Sequence, residues 1–133
     1  MSQRDLALVV TLDAAGRHTE AIAALARATG AGDRDAMAAL GRRLLIGDRG
    51  PHLPAEGARF LLEAAQRGQP DAQERAAALL AGGVYAAQSW PDALRMLARA
   101  AANGNLSART QLAAMTGIAD PLTTGTSWGR SLT

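Results

Sequence analysis

A chain whose residues recur at a fixed interval of a few tens of positions is built from one small unit used several times. Stepping along this sequence by 36 takes Ala36 to Ala72 and Ala108, Gly32 to Gly68 and Gly104, and Gly47 to Gly83. Leu44 falls on Leu80 and back on Leu8, and Leu61 falls on Leu97 and back on Leu25. Ala64 and Ala65 fall on Ala100 and Ala101, with Ala28 in the same column. Alanine matches come cheaply in so alanine-rich a chain, but in-phase glycines and leucines do not.

Each period divides in the same way. After the repeat glycine, apolar residues four apart mark one face of a short helix: Ala36, Leu40 and Leu44 in one unit, Ala72, Ala76 and Leu80 in the next. A glycine-rich loop follows, 47–54 and then 82–90, with Pro54 and Pro91 where a second helix begins. The pattern predicts that second helix over about 55–67 and about 91–103, with apolar faces Ala58, Leu61, Leu62, Ala65 and Leu94, Leu97, Ala98, Ala101. Gly68 and Gly104 end the two copies, and Asp33 and Asn105 stand ready to cap the helices that follow. A looser first unit is expected from helices near 2–12 and 19–28, and a fourth begins near 107–115. Hydrophobic residues make up 48% of the chain and aromatics only 3%. Alanine is the strongest helix former, and its small side chain lets helices pack closely, whereas sheets favour β-branched and aromatic residues. The expectation is therefore all-α: a right-handed α-α superhelix of antiparallel helix pairs. No pair buries its own apolar face, so each packs on the next. Residues 1–117 form the array, about three and a half repeats, and 118–133 form a tail or the start of a truncated last repeat.

Charge narrows the choice of partner. Fourteen basic residues, all arginine, face 12 carboxylates, for a net charge of +2. That balance argues against nucleic acid. With no cysteine, disulfides and thiolate metal sites are excluded. The apolar run Leu6–Val10 is too short for a signal-peptide core or a membrane span, which points to the cytoplasm and away from a membrane.

The stretch Leu40-Gly41-Arg42-Arg43-Leu44-Leu45-Ile46-Gly47 resembles the first-helix signature of the Sel-one-like repeats, a tetratricopeptide-like (TPR-like) subclass with a period near 36. Gly57 to Gly68 resembles their second-helix signature, and Ala93 to Gly104 repeats it with Met96-Leu97 in the aromatic slots. The likeness covers roughly residues 19–117. It departs at Ala76-Ala77, where Leu-Gly is the pattern, and Phe60 alone keeps an aromatic in those slots. The resemblance implies a scaffold for protein complexes, with no chemistry of its own and with the first helices lining the concave face where a partner docks.

Candidate chemistry is sparse. His18 and His52 with Glu20 imitate a two-histidine, one-carboxylate iron triad, but they fall in successive inter-helix loops, so no metal or other cofactor is expected. Gly30-Ala31-Gly32 follows no strand, and 47–50 lacks the Gly-Lys-Ser/Thr ending of a P-loop. No Ser-His-Asp set is arguable, and the chain is read as no enzyme. Glu56 with Arg59 and Glu63 with Arg67 are expected as surface pairs. The candidate partner-binding residues are Arg42 and Arg43 beside the Leu40/Leu44 stripe, Glu74, Arg75 and Gln111, the last two 36 apart, and Trp90 as an aromatic anchor or a staple under its loop. The leading expectation is a protein- or peptide-binding scaffold. Two others stand beside it: the N-terminal repeat region of a larger bacterial enzyme, such as an iron- and 2-oxoglutarate-dependent oxygenase continuing into a C-terminal catalytic domain, and a self-assembly module such as a homodimer.

Overall fold

The computed structural model describes residues 2–116. They form seven helices and no strand: α1 (Gln3–Ala14), α2 (His18–Gly30), α3 (Arg34–Ile46), α4 (Pro54–Gln66), α5 (Pro70–Gly82), α6 (Trp90–Ala102) and α7 (Leu106–Thr116). Each helix packs chiefly against its neighbours in the chain, so the pairs α1/α2, α3/α4 and α5/α6 stack one on the next, with α7 opening a fourth. The expectation for 118–133 lies outside the described residues.

The starts of α3, α5, α6 and α7 are fixed by side-chain caps. Asp33 Oδ1 accepts from the amides of Asp35 and Ala36, Gln69 Oε1 from Ala72 at 2.7 Å, Ser89 Oγ from Asp92, and Asn105 Oδ1 from Ala108 at 2.8 Å. Helix ends repeat as well. Gly47 (φ 72°) and Gly83 (φ 69°) close α3 and α5 in the left-handed conformation that glycine adopts without penalty. The loops after them then share one closing hydrogen bond. The Leu53 amide donates to the Leu44 carbonyl at 2.9 Å, and 36 residues on, the Ser89 amide donates to the Leu80 carbonyl at 2.9 Å.

Three apolar clusters run along the array, and each straddles at least one joint between repeats. The first joins Val9 and Leu12 of α1 to Ala21 and Leu25 of α2 and to Ala36, Leu40 and Leu44 of α3. The second joins α3, α4 and α5 through Met37, Leu61, Ala64 and Ala72. The third joins α5, α6 and α7 through Ala77, Leu97, Ala100 and Ala108.

One register differs from the sequence reading. The loop between α1 and α2 is three residues, 15–17, against seven for 47–53 and 83–89. This shortening shifts α1 by four residues, so Leu12, not Leu8, fills the place equivalent to Leu44. Leu12 is 8% exposed and Leu8 42%. Leu94 also leaves its expected core position, at 38% exposed.

Candidate functional site

The first helices α3, α5 and α7 stand side by side, and two depressions lie on either side of α5. The first, open and about 400 Å³, lies between α3 and α5 over Leu61; Asp35, Arg42, Asp71, Glu74 and Arg75 line it. The second, about 220 Å³, lies between α5 and α7 over Leu97, the residue 36 on from Leu61. It is almost wholly apolar, walled by Ala77 and Ala81 of α5, Trp90, Ala93 and Leu94 of α6, and Met115 of α7, with Gln111 at its edge.

The apolar recess coincides with a pair of substitutions between repeats. In the second hairpin Gly41 and Gly57 meet where α3 crosses α4. A Cβ on Gly57 would stand 2.5 Å from the Leu45 nitrogen and 2.6 Å from the Gly41 oxygen, and one on Gly41 would stand 2.9 Å from the Gly57 oxygen. Helix backbones therefore touch there. Thirty-six residues on, the places are held by Ala77 and Ala93. Two methyl groups stand where the second hairpin has none, and both residues line the recess.

Polar side chains along the first helices bond from repeat to repeat. Gln69 caps α5 with its oxygen and donates its amide NH2 to Asp35 at 3.3 Å; Asn105 caps α7 and donates to Asp71 at 3.1 Å. The donor and the acceptor each move on by 36. Gln111 donates to Glu74 at 2.6 Å, again linking α7 to α5. These bonds hold the first helices in parallel rank and engage the carboxylates of the groove.

The expected site residues divide into two groups. Arg42, Glu74, Arg75 and Gln111 lie on the α3–α5–α7 face, and Trp90, first residue of α6 and 52% exposed, stands at the rim of the recess instead of under its loop. Arg42 reaches Asp48 at 3.5 Å, and Arg75, exposed, makes no hydrogen bond or ion pair among the described residues. Arg43 does not belong with them. It is 3% exposed, its guanidinium donates to both oxygens of Asp13 at 2.8 and 3.2 Å, and it also donates to the carbonyls of Asp48 and Arg49. Both arginines reach Asp48, but Arg43 is buried in the joint between the first two hairpins and offers a partner no surface.

Asp13, which the sequence did not single out, is the centre of that joint. Its side chain is 10% exposed and also meets His18 Nδ1 at 2.8 Å and Arg49 at 3.4 Å. The hydrogen bond from Arg43 outweighs burial and holds its pKa down to about 2. Nothing in the 36-residue pattern signals it, because the pairing crosses 30 residues of chain.

The two histidines have local uses. His18 begins α2 and binds Asp13. His52 Nε2 donates to the Leu45 carbonyl at 3.1 Å, and one repeat on, Gln88 does the same to the Ala81 carbonyl at 2.9 Å. Glu63 pairs with Arg67 at 3.1 Å as expected, but the Glu56–Arg59 pair is not formed; the Arg59 guanidinium lies 5.4 Å from the centroid of the Phe60 ring. Among the described residues no three His, Asp or Glu side chains gather as metal ligands, and no helix is long and apolar enough to cross a membrane.

No family model and no curated protein matches this chain in sequence. Its structure is similar to the crystal structure of a Sel1 repeat protein from Oxalobacter formigenes, with a TM-score of 0.69 over 77% of this chain at 23% identity. The match takes in 44% of that protein's chain, so this chain spans less than half its length. The fold is that of the Sel1-like helical repeat solenoid.

Proposed function

We propose that this chain is a protein-interaction module, a rigid helical-repeat scaffold that holds a segment of another protein on the face formed by α3, α5 and α7 and performs no catalysis. One observation carries the reading. Across α5 from Arg75, which has no partner among the described residues, the array leaves an apolar recess open and the Trp90 ring half uncovered at its rim. Aromatic residues and arginine at the mouth of a pocket are the groups from which interfaces draw most of their binding energy. Arg42, Glu74, Arg75, Gln111 and Trp90 are the proposed contact residues. The likeness to a Sel1 repeat protein supports a scaffold, since stacked hairpins present a long surface of this kind.

The test is site-specific photo-crosslinking in the native cell. A crosslinker replacing Ala78, exposed on the groove side of α5, should trap one defined protein, and Trp90→Ala should abolish the product. The same crosslinker at Arg99, exposed on α6, should not trap it. Equal trapping from both positions, or a product indifferent to Trp90→Ala, overturns the proposal.

A further inference from the structure

The geometry points to a partner segment of particular chemistry: an extended stretch carrying one carboxylate side chain two or three residues away from one bulky apolar side chain. This inference rests on the interaction reading above and gives it a specificity.

The carboxylate site comes from which donors in the groove are already used. Five ionisable groups line the first depression. Asp35 accepts from Gln69, Asp71 from Asn105 and Glu74 from Gln111, so each acid already has an amide donor from the repeat beyond. Asp35 and Asp71 also lie in the first turns of α3 and α5, where the helix N-terminus offsets negative charge. The two arginines are different. Arg75 has no partner among the described residues, and Arg42 has one long contact to Asp48 at 3.5 Å. Each guanidinium carries five N–H donors in a planar fork suited to a carboxylate. Both sit further along their helices than the two aspartates, and Arg75 lies one helical turn from Ala78, one of the α5 residues that line the apolar recess. The acids of the groove, Glu74 beside Arg75 included, are thus already engaged, and the unused donors are those of the two guanidiniums.

The apolar site is the recess itself, where no charged side chain lines the wall. A side chain entering it covers Trp90, Leu94 and Met115, which are 52%, 38% and 52% exposed. The two sites lie on opposite sides of α5, one helix width apart, roughly 8–10 Å. An extended chain advances about 3.3 Å per residue. The acid and the apolar residue therefore fall two or three positions apart.

The probes are capped nonapeptides of Gly and Ser carrying one Glu and one Phe at that spacing, with matched peptides in which Lys replaces Glu or Ala replaces Phe. Trp128→Phe leaves Trp90 as the sole tryptophan, a fluorescent reporter inside the proposed site. The expected result is a blue shift on titration, with the Glu–Phe peptide binding at least about ten-fold tighter than either control in low salt and losing that margin in molar salt. Arg75→Glu, an exposed change whose helical circular dichroism should stay unchanged, is expected to erase or reverse the preference for Glu over Lys. The inference is overturned if the Lys peptide binds as well as the Glu peptide, if Arg75→Glu leaves the preference intact, or if no peptide binds. The interaction reading survives those failures as long as Ala78 still crosslinks a partner in cells. A crosslinked segment, identified by mass spectrometry, that is basic or lacks a bulky apolar residue overturns the inference alone.

Discussion

At the scale of single residues, two kinds of position hold the array in shape. Gly57 lets α3 and α4 touch, and its replacement by alanine gains at most about 1 kcal/mol of helix propensity. The new methyl would press on backbone atoms at 2.5 and 2.6 Å, which the hairpin can relieve only by moving apart. Gly57→Ala should therefore destabilise by about 1–3 kcal/mol in urea unfolding. Gly82→Ala, at a position open on all sides, should be neutral or slightly stabilising. Asp13 is the second kind. Its carboxyl titrates lower in the folded chain, about 2 against 3.8, so its contribution is fully present above about pH 4 and is lost as pH falls toward 2. Urea unfolding at pH 7, 4 and 2.5 should show an acid-side loss on the order of 2 kcal/mol that Asp13→Asn lacks. Asp13→Leu should cost more alone than combined with Arg43→Met, because the single change strands a buried guanidinium.

At the scale of the helical element, the N-cap amides do two jobs. The side-chain oxygen of Asn105 closes the start of α7, while its NH2 ties that helix to Asp71 of α5. Asn105→Asp separates the two, since aspartate caps as well as asparagine but has no amide to give. It also sets two carboxylates against each other at the joint. The variant should lose about 0.5–1 kcal/mol at pH 7. The deficit should shrink below about pH 4, because acids held near a like charge titrate upward on folding and destabilise as pH rises. Its slope is opposite in sign to that at Asp13, so pH-resolved unfolding distinguishes the two joints. The loops show a similar economy: His52 and Gln88, chemically unlike, bond to the carbonyls of Leu45 and Ala81 at equivalent places.

At the scale of the whole molecule, stability is a chain of nearest-neighbour joints, and the ends have fewer of them. α1 leaves Leu6 and Val10 at 50% and 58% exposed, and α7 leaves Leu106 at 68%, whereas Leu61 in α4 is fully buried. Native-state hydrogen exchange should show the amides of α3 to α5 exchanging at least about ten-fold more slowly than those of α1 and α7. Uniform protection across the seven helices would mean one closed core instead.

The sequence by itself determined what repeats. Helix periodicity, capping residues and turn glycines are local requirements, met within a few residues of chain, so they recur every 36 and can be read without a structure. Hence α1, α2, α4, α6 and α7 fall within a residue or two of their expected ends, and Asp33 and Asn105 cap as anticipated. Only the tertiary structure decided what depends on approach between elements. Arg42 and Arg43 are adjacent in sequence, yet a turn of about 100° per residue sends one to the groove and the other into a buried pair with Asp13. A loop four residues shorter moved the first helix out of register, and two alanines in place of two glycines line a recess. The physical reason is that a cap or a turn depends on its immediate neighbours, whereas a groove depends on distances between helices, set by every side chain that separates them.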